Sequence, residues 1–235
     1  MKEILTELKK GQIGHGILVE NDGFVITPKD TIRSIKESIE KGGWDCPNPF
    51  RVPAVFQKYG IKNANGRIYP ENVLRRQVEI YQKLINDRSS YGELNHPETT
   101  TIDGSRISHI ITELHWEKST LVGELELYLS HPFIENGFIC TQGDQTANLL
   151  LNGYKIGVSS RGVGSVTQKN GDTIVNDDFE IVCWDVVTSP STPGAYIDLN
   201  KQNLQQYVEN KAVCEHNSGN LFLHEKLDKL SRILN

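Results

Sequence analysis

Two neighbouring stretches alternate so regularly that they dictate a sheet. In residues 107–116, Ile110, Thr112, Leu114 and Trp116 share one parity, and in residues 121–127, Leu121, Gly123, Leu125 and Leu127 do the same, with Glu117-Lys118-Ser119-Thr120 between. Successive strand side chains point to opposite faces, so each run has one face to bury and the short polar link folds them into a long antiparallel hairpin. His109 and His115 lie within it and are read as strand-surface residues. Further β-forming runs at residues 51–57, 162–167, 173–175 and 179–187 supply partners, the second and third flanking a Lys169-Asn170-Gly171-Asp172 turn. The expected class is therefore mainly β with α (α+β).

At 235 residues and 37% hydrophobic content the chain can build a core. Its net charge of −5 argues against binding nucleic acid or a membrane surface, which calls for surplus Lys and Arg. No apolar run reaches the length of a membrane span, and Met1-Lys2-Glu3-Ile4-Leu5-Thr6-Glu7 lacks the apolar stretch of a signal peptide, so a cytoplasmic setting is expected. Cys46, Cys140, Cys183 and Cys214 are widely spaced, which fits reduced thiols better than disulfides or zinc ligands.

Along the chain, residues 16–26 read as a hairpin about Asn21-Asp22-Gly23, and Thr31 caps a helix with Ile32, Ile35 and Ile39 on one face, stopped by Gly42-Gly43. Trp44-Asp45-Cys46-Pro47-Asn48-Pro49 breaks regular structure, which places a boundary near residue 50. Pro70 then starts a helix with Leu74, Val78, Tyr81 and Leu84 or Ile85 on one face, and Asp144 caps a shorter helix ending at Gly153. Beyond about residue 198, Leu204, Tyr207 and Val208, then Leu223, Leu227, Leu230 and Leu234, mark a helical tail. The expected division is an N-terminal segment 1–50, a main domain 51–198 and a tail 199–235.

Three positions carry the chemistry. In Gly157-Val158-Ser159-Ser160-Arg161-Gly162-Val163-Gly164-Ser165, a short apolar run ends in two serines and opens into glycines, a setting for a nucleophile with backbone N–H donors beside it or for a plain turn. His96, fenced by Asn95 and Pro97, is held in a loop, where it is either satisfied locally or used as a base. Glu93 with His96 makes a poor metal pair, because Pro97 spoils helical spacing and no second pair exists. Asp185 is a charge among the apolar neighbours of residues 179–187, facing outward or held inward for a partner such as an imidazole.

Taken together, these motifs resemble the prohead proteases of tailed phages, of the myovirus prohead core protease type. Asn65-Gly66-Arg67-Ile68-Tyr69-Pro70 is similar to that family's N-x-R-x-Y-P segment, and Gly92-Glu93-Leu94-Asn95-His96-Pro97 to its histidine motif. Gly157-Val158-Ser159-Ser160-Arg161-Gly162 matches its serine motif, and Asp185 followed by Pro190-Ser191 its third block. The resemblance covers residues 51–197. It implies a herpesvirus-assemblin-like fold, a compact antiparallel β-barrel surrounded by helices, here with a C-terminal helical tail.

The resemblance further implies a serine endopeptidase with Ser159 as nucleophile, His96 as base and Asp185 as third member, for which Glu93, Glu180 or His115 are the alternatives. Ser160, Arg161 and Gly162 are expected to support the oxyanion or the loop, Arg161 alternatively as a brace. No metal or organic cofactor is implied. The expected partners are the major capsid protein and scaffold or core proteins as substrates, and the protease itself, acting as a homo-oligomer in the assembling prohead within the host cytoplasm. Leu223-His224-Glu225, Leu5-Thr6-Glu7 and Ile35-Lys36-Glu37 fit the family's apolar-x-Glu pattern, so self-cleavage is expected after Glu225, Glu7 and Glu37, with the tail as a regulator. Two other readings are a catalytically silent structural core protein of the prohead and an unrelated esterase; the esterase elbow G-x-S-x-G fails at Arg161.

Overall fold

The computed structural model describes residues 5–25, 33, 37, 44, 46 and 48–187. The expected tail, with Glu225 and Cys214, lies outside them. The chain divides into two units, Met1–Tyr196 and Ile197–Asn235, and all described residues belong to the first.

The long hairpin expected from the two alternating stretches is present as β5 (Ile107–Glu117) and β6 (Thr120–Leu127), paired from Glu117↔Thr120 outward. A register shift between Ile111 and Glu113 lets both Ile111 and Leu114, of opposite parity, reach the core. Around this hairpin the other strands are β1 (Gly14–Val25), β2 (Arg51–Lys58), β3 (Arg67–Ile68), β4 (Tyr91–Glu93), β7 (Gly157–Lys169), β8 (Asp172–Val175) and β9 (Glu180–Val187). They form one mainly antiparallel sheet in the order β3-β8-β7-β1-β2-β6-β5-β4, with β9 also on β7 and the β3–β8 pair parallel. The sheet curls until Leu94, just past β4, bridges Val186 on β9. That curl brings the histidine loop to the serine strand.

Residues 14–25 are one strand rather than a hairpin, which corrects the sequence reading. Asn21-Asp22-Gly23 coincides with a register shift between Glu20 and Gly23, so one extra residue is absorbed as a bulge while pairing to β7 continues from Gly14↔Val166 to Phe24↔Gly157. The N-terminal segment thus supplies a strand to the middle of the sheet, and the boundary expected near residue 50 does not separate two sheets. Of the helix expected after Thr31, only Arg33 and Glu37 are described, both helical.

Helix α1 (Glu71–Asn86) follows Pro70 as expected and seals two clusters with one face. Val73 and Leu74 pack with Leu8, Leu18, Tyr69, Val166, Val175 and Phe179, whereas Val78, Tyr81 and Ile85 join the larger core around Phe56, Ile111, Leu125 and Trp184. Trp184 is fully buried with Phe56 and Tyr81 edge-on to its rings. After the short α2 (His131–Asn136), α3 (Gln142–Leu151) is capped by Thr141 rather than Asp144. Asp144 instead closes a capping box and also accepts from Ser130 N and Oγ, at 2.8 and 2.7 Å, because it faces inward toward donors the sequence did not advertise.

Candidate active site

Strand alternation and register place the site's three side chains. Ser159 on β7 pairs with Asp185 on β9, and residues directly opposite in an antiparallel ladder share a face with Cβ atoms about 5 Å apart. His96 enters from the loop after β4, whose backbone is tied to β9 by Asn95 N–H donating to Val186 O at 2.7 Å. Asn95 takes a positive φ of 62°, the sharp turn that points the next residue back at the sheet.

The result is a connected line. Ser159 Oγ lies 2.6 Å from His96 Nε2, and His96 Nδ1 lies 3.0 Å from Asp185 Oδ2. A carboxylate accepts only, so Nδ1 carries the proton and, in the neutral ring, Nε2 is left to accept from the serine hydroxyl. Ser159 and Asp185 are fully buried, and the His96 side chain is 14% exposed. Burial alone would raise the Asp185 carboxyl. The His96 hydrogen bond and charge, the Arg161 charge and the Glu93 N–H outweigh it and hold the group below its ordinary value. An ionised, oriented carboxylate behind an imidazole that faces a hydroxyl can draw a proton off that hydroxyl as it attacks.

The serine strand itself corrects one expectation. β7 does not stop at the serines but continues to Lys169, with Ser160, Arg161 and Gly162 paired to Trp184, Cys183 and Ile181 on one side and to Glu20, Val19 and Leu18 on the other. The glycines serve packing rather than a loop: a Cβ on Gly162 would stand 2.4 Å from Phe179 Cε2. These three residues therefore lie along a strand paired on both sides rather than in an open loop, with a register shift against β9 between Arg161 and Gly162. Ser160 faces away from Ser159, buried, with no hydrogen-bond partner for its hydroxyl among the described residues.

Arg161 is fully buried and its fork reaches Asp185 through Nε (2.9 Å to Oδ2) and Nη2 (3.2 Å to Oδ1), while Nη1 donates to Thr99 O at 2.6 Å. So the side chain braces both the carboxylate and the histidine loop. Glu93 does not touch His96; its Oε2 lies 3.3 Å from Arg161 Nη2 and its Oε1 accepts from Asp103 N at 2.5 Å. Glu180 is exposed at the start of β9, and His115 pairs with Glu113, so neither takes the place of Asp185 at the ring.

His109, expected on the surface, is completely buried. Gly92, opposite it on β4, leaves the space, since a Cβ there would sit 2.3 Å from both His109 Nε2 and Trp184 O. Through that window Nε2 donates to Trp184 O at 3.1 Å, bolting β5 to the residue before Asp185, and Ser108 Oγ donates to Nδ1 at 2.9 Å. Burial pushes the His109 ring down to about 4, against the opposing pull of the Asp185 charge and the Trp184 carbonyl. Sequence reasoning missed this residue, and the small residue at Gly92 was the available signal.

The Asn65-Gly66-Arg67-Ile68-Tyr69-Pro70 segment does not enter the line. With Asn63 it converges on the buried Glu20, the β1 residue opposite Ser160: Asn63 Nδ2 at 2.6 Å, Asn65 Nδ2 at 2.8 Å, Arg67 Nη1 at 2.5 Å and Tyr69 Oη at 3.0 Å. Arg67 Nη2 also donates to Leu8 O, fixing the segment that holds Glu7, itself bridged to Ile17. Glu37, beside Arg33, is exposed. Cys140 and Cys183 are free thiols.

Comparison with known proteins identifies the family and the fold. The model of the family described as "Prohead core protein serine protease" matches residues 16–206. The prohead core protein protease of Enterobacteria phage T4 is 32% identical over 161 residues, which is 67% of this chain and 72% of that protein. In fold the chain is similar to the solved bacteriophage T4 capsid assembly protease, gp21, with a TM-score of 0.59 at 24% identity, covering 74% of this chain and 98% of that one. This mainly β chain, curled around its Ser159, His96 and Asp185, belongs to the prohead core protein serine protease family.

Proposed function

We propose that the chain is a phage prohead maturation endopeptidase of the serine type, acting through Ser159, His96 and Asp185. The observation that carries the reading is the unbroken line from Ser159 Oγ through the two His96 nitrogens to Asp185. As Oγ attacks a peptide carbonyl carbon, its proton passes to His96 Nε2, and the imidazolium that forms is stabilised by Asp185 without a second proton transfer. The tetrahedral intermediate collapses as His96 returns that proton to the leaving amine, and water repeats the cycle on the acyl-enzyme. In this reading Arg161 braces the site, and backbone N–H groups of Ser160, Arg161 and Gly162 support the oxyanion beside the register shift that interrupts the β7–β9 ladder.

The substrates in this reading are scaffold or core proteins, the capsid protein and the protease itself, inside the assembling prohead. Self-cleavage after Glu7, Glu37 and Glu225 and control by residues 199–235 belong to the same proposal, as do homo-oligomerisation and kinship with herpesvirus assemblin. Co-expression with the phage's core and capsid proteins tests it. Wild type and Ser159→Ala are compared by mass spectrometry of assembled particles, with Ser160→Ala alongside. Wild type and Ser160→Ala should yield processed core protein and Ser159→Ala only full-length chains. Processing by Ser159→Ala removes the reading.

A further inference from the structure

We propose that Arg161 and Glu93 form a buried, charge-balanced clamp that fixes the Asp185 carboxylate toward His96 and sets how much of its charge the imidazole feels. The proposal rests on the Ser159–His96–Asp185 reading and assigns positioning roles to two residues outside it.

Four groups hold the Asp185 carboxylate on its far side. Arg161 approaches both oxygens with two N–H groups, Glu93 N–H donates to Oδ1 at 2.9 Å, and the Cys183 thiol donates to Oδ1 at 3.3 Å. Burial and the Asp185 charge push the Cys183 thiol up, so it stays a protonated donor. With these bonds made, the carboxylate plane cannot turn, and Oδ2 is held at His96 Nδ1. Arg161 also grips the histidine loop at Thr99 O, and Arg106 Nη2 grips it at Leu94 O and Asn95 O, at 3.2 and 3.1 Å. One guanidinium thereby ties β9, β7 and the histidine loop together.

A guanidinium this close to Asp185 would, alone, offset the charge that stabilises an imidazolium. Glu93 counters it. It is fully buried, with Oε2 3.3 Å from Arg161 Nη2, so the pocket holds two carboxylates around one buried guanidinium. The remaining charged or titratable groups at the site do not upset this balance. Arg106 also faces Glu93, its buried Nε 3.6 Å from Oε2, but the side chain as a whole is 39% exposed and opens to water on its other side, and Glu98 on the histidine's own loop is exposed. From β5, His109 is buried neutral, and from α1 the Tyr81 phenol is pushed well up by burial and stays protonated.

The test is the pH profile of kcat/KM on a peptide spanning a mapped processing site, for Arg161→Gln, Glu93→Gln and the double variant. Arg161→Gln removes a positive charge, so the acid limb should move to higher pH by about one unit, with kcat lowered at least about tenfold by the loosened carboxylate. Glu93→Gln, nearly isosteric, should move the limb to lower pH, and the double variant should return it close to wild type. A purely structural role lowers kcat in all three without moving the limb. An unmoved limb in Glu93→Gln overturns the clamp, even if Arg161→Gln fails to fold. Retention of activity by Ser159→Ala would instead remove the triad reading, so the two failures are distinguishable.

Discussion

Acidification from pH 7 to 5 should destabilise this fold through one buried ring, His109. Its unfolded value is 6.5 and burial holds it at about 4 in the folded chain, so between these values the unfolded chain binds the extra proton and stability falls as pH falls. At about 1.4 kcal/mol per unit, the full window corresponds to about 3 kcal/mol, of which about 2 kcal/mol is lost by pH 5. The sign is opposite to that of a salt-bridged histidine. Carboxylates held below their ordinary range, such as Asp185, Asp144 and Glu126, contribute stability that is present above that range and lost as pH falls through and below it, so they act in a lower window. The comparison is with His109→Gln, whose amide N–H can still reach the Trp184 carbonyl but does not titrate. Urea unfolding of both proteins from pH 7 to 5 isolates the ring, because the other histidines and the acids are common to both. Wild type should lose about 1 M more in urea midpoint than the variant, for a slope of about 2 kcal/mol per M. Equal losses in the two proteins would refute the buried-neutral account of His109.

Other consequences follow from the same contacts. Gly92→Ala should destabilise by about 3 kcal/mol or more, since its Cβ would meet a backbone oxygen and the His109 ring at 2.3 Å; an unchanged thermal midpoint would contradict the window in β4. Glu20→Ala should cost about 3–5 kcal/mol in denaturant unfolding, because it leaves the buried Arg67 guanidinium without its carboxylate. Ser160→Ala should change stability by less than about 1 kcal/mol, as its buried hydroxyl makes no bond among the described residues; a larger loss would show a partner.

The sequence carried the parts that depend on short-range pattern. The β5–β6 hairpin and α1 were legible because alternation and helical periodicity are local, and so was the β7–β8 turn, where Asn170 and Gly171 adopt the positive φ of 54° and 83° such a turn requires. His96 stood out because Asn95 and Pro97 break the chain around it, and Asp185 because its neighbours are apolar. Illegible features were those set by neighbours distant in sequence. Asn21-Asp22-Gly23 looks like a turn until β7 is seen to pair on both sides of it. Gly162 and Gly164 look like a loosening loop until Phe179 is found packed against them. His109 reads as surface unless the gap at Gly92 is known to lie opposite. The brace formed by Arg161 had a usable trace: it stands two residues after Ser159, Cys183 stands two before Asp185, and parity puts all four on one face.

The central claim is that Ser159 is the hydroxyl activated by His96 and Asp185, and covalent labelling tests it most directly. Native protein treated with a serine-reactive fluorophosphonate, then digested and mapped, should carry the adduct on Ser159. Labelling should disappear in His96→Ala and after denaturation, because an unassisted serine hydroxyl is a weak nucleophile. An adduct on Ser160 or elsewhere, or labelling of Ser159 that persists without His96, would contradict the account.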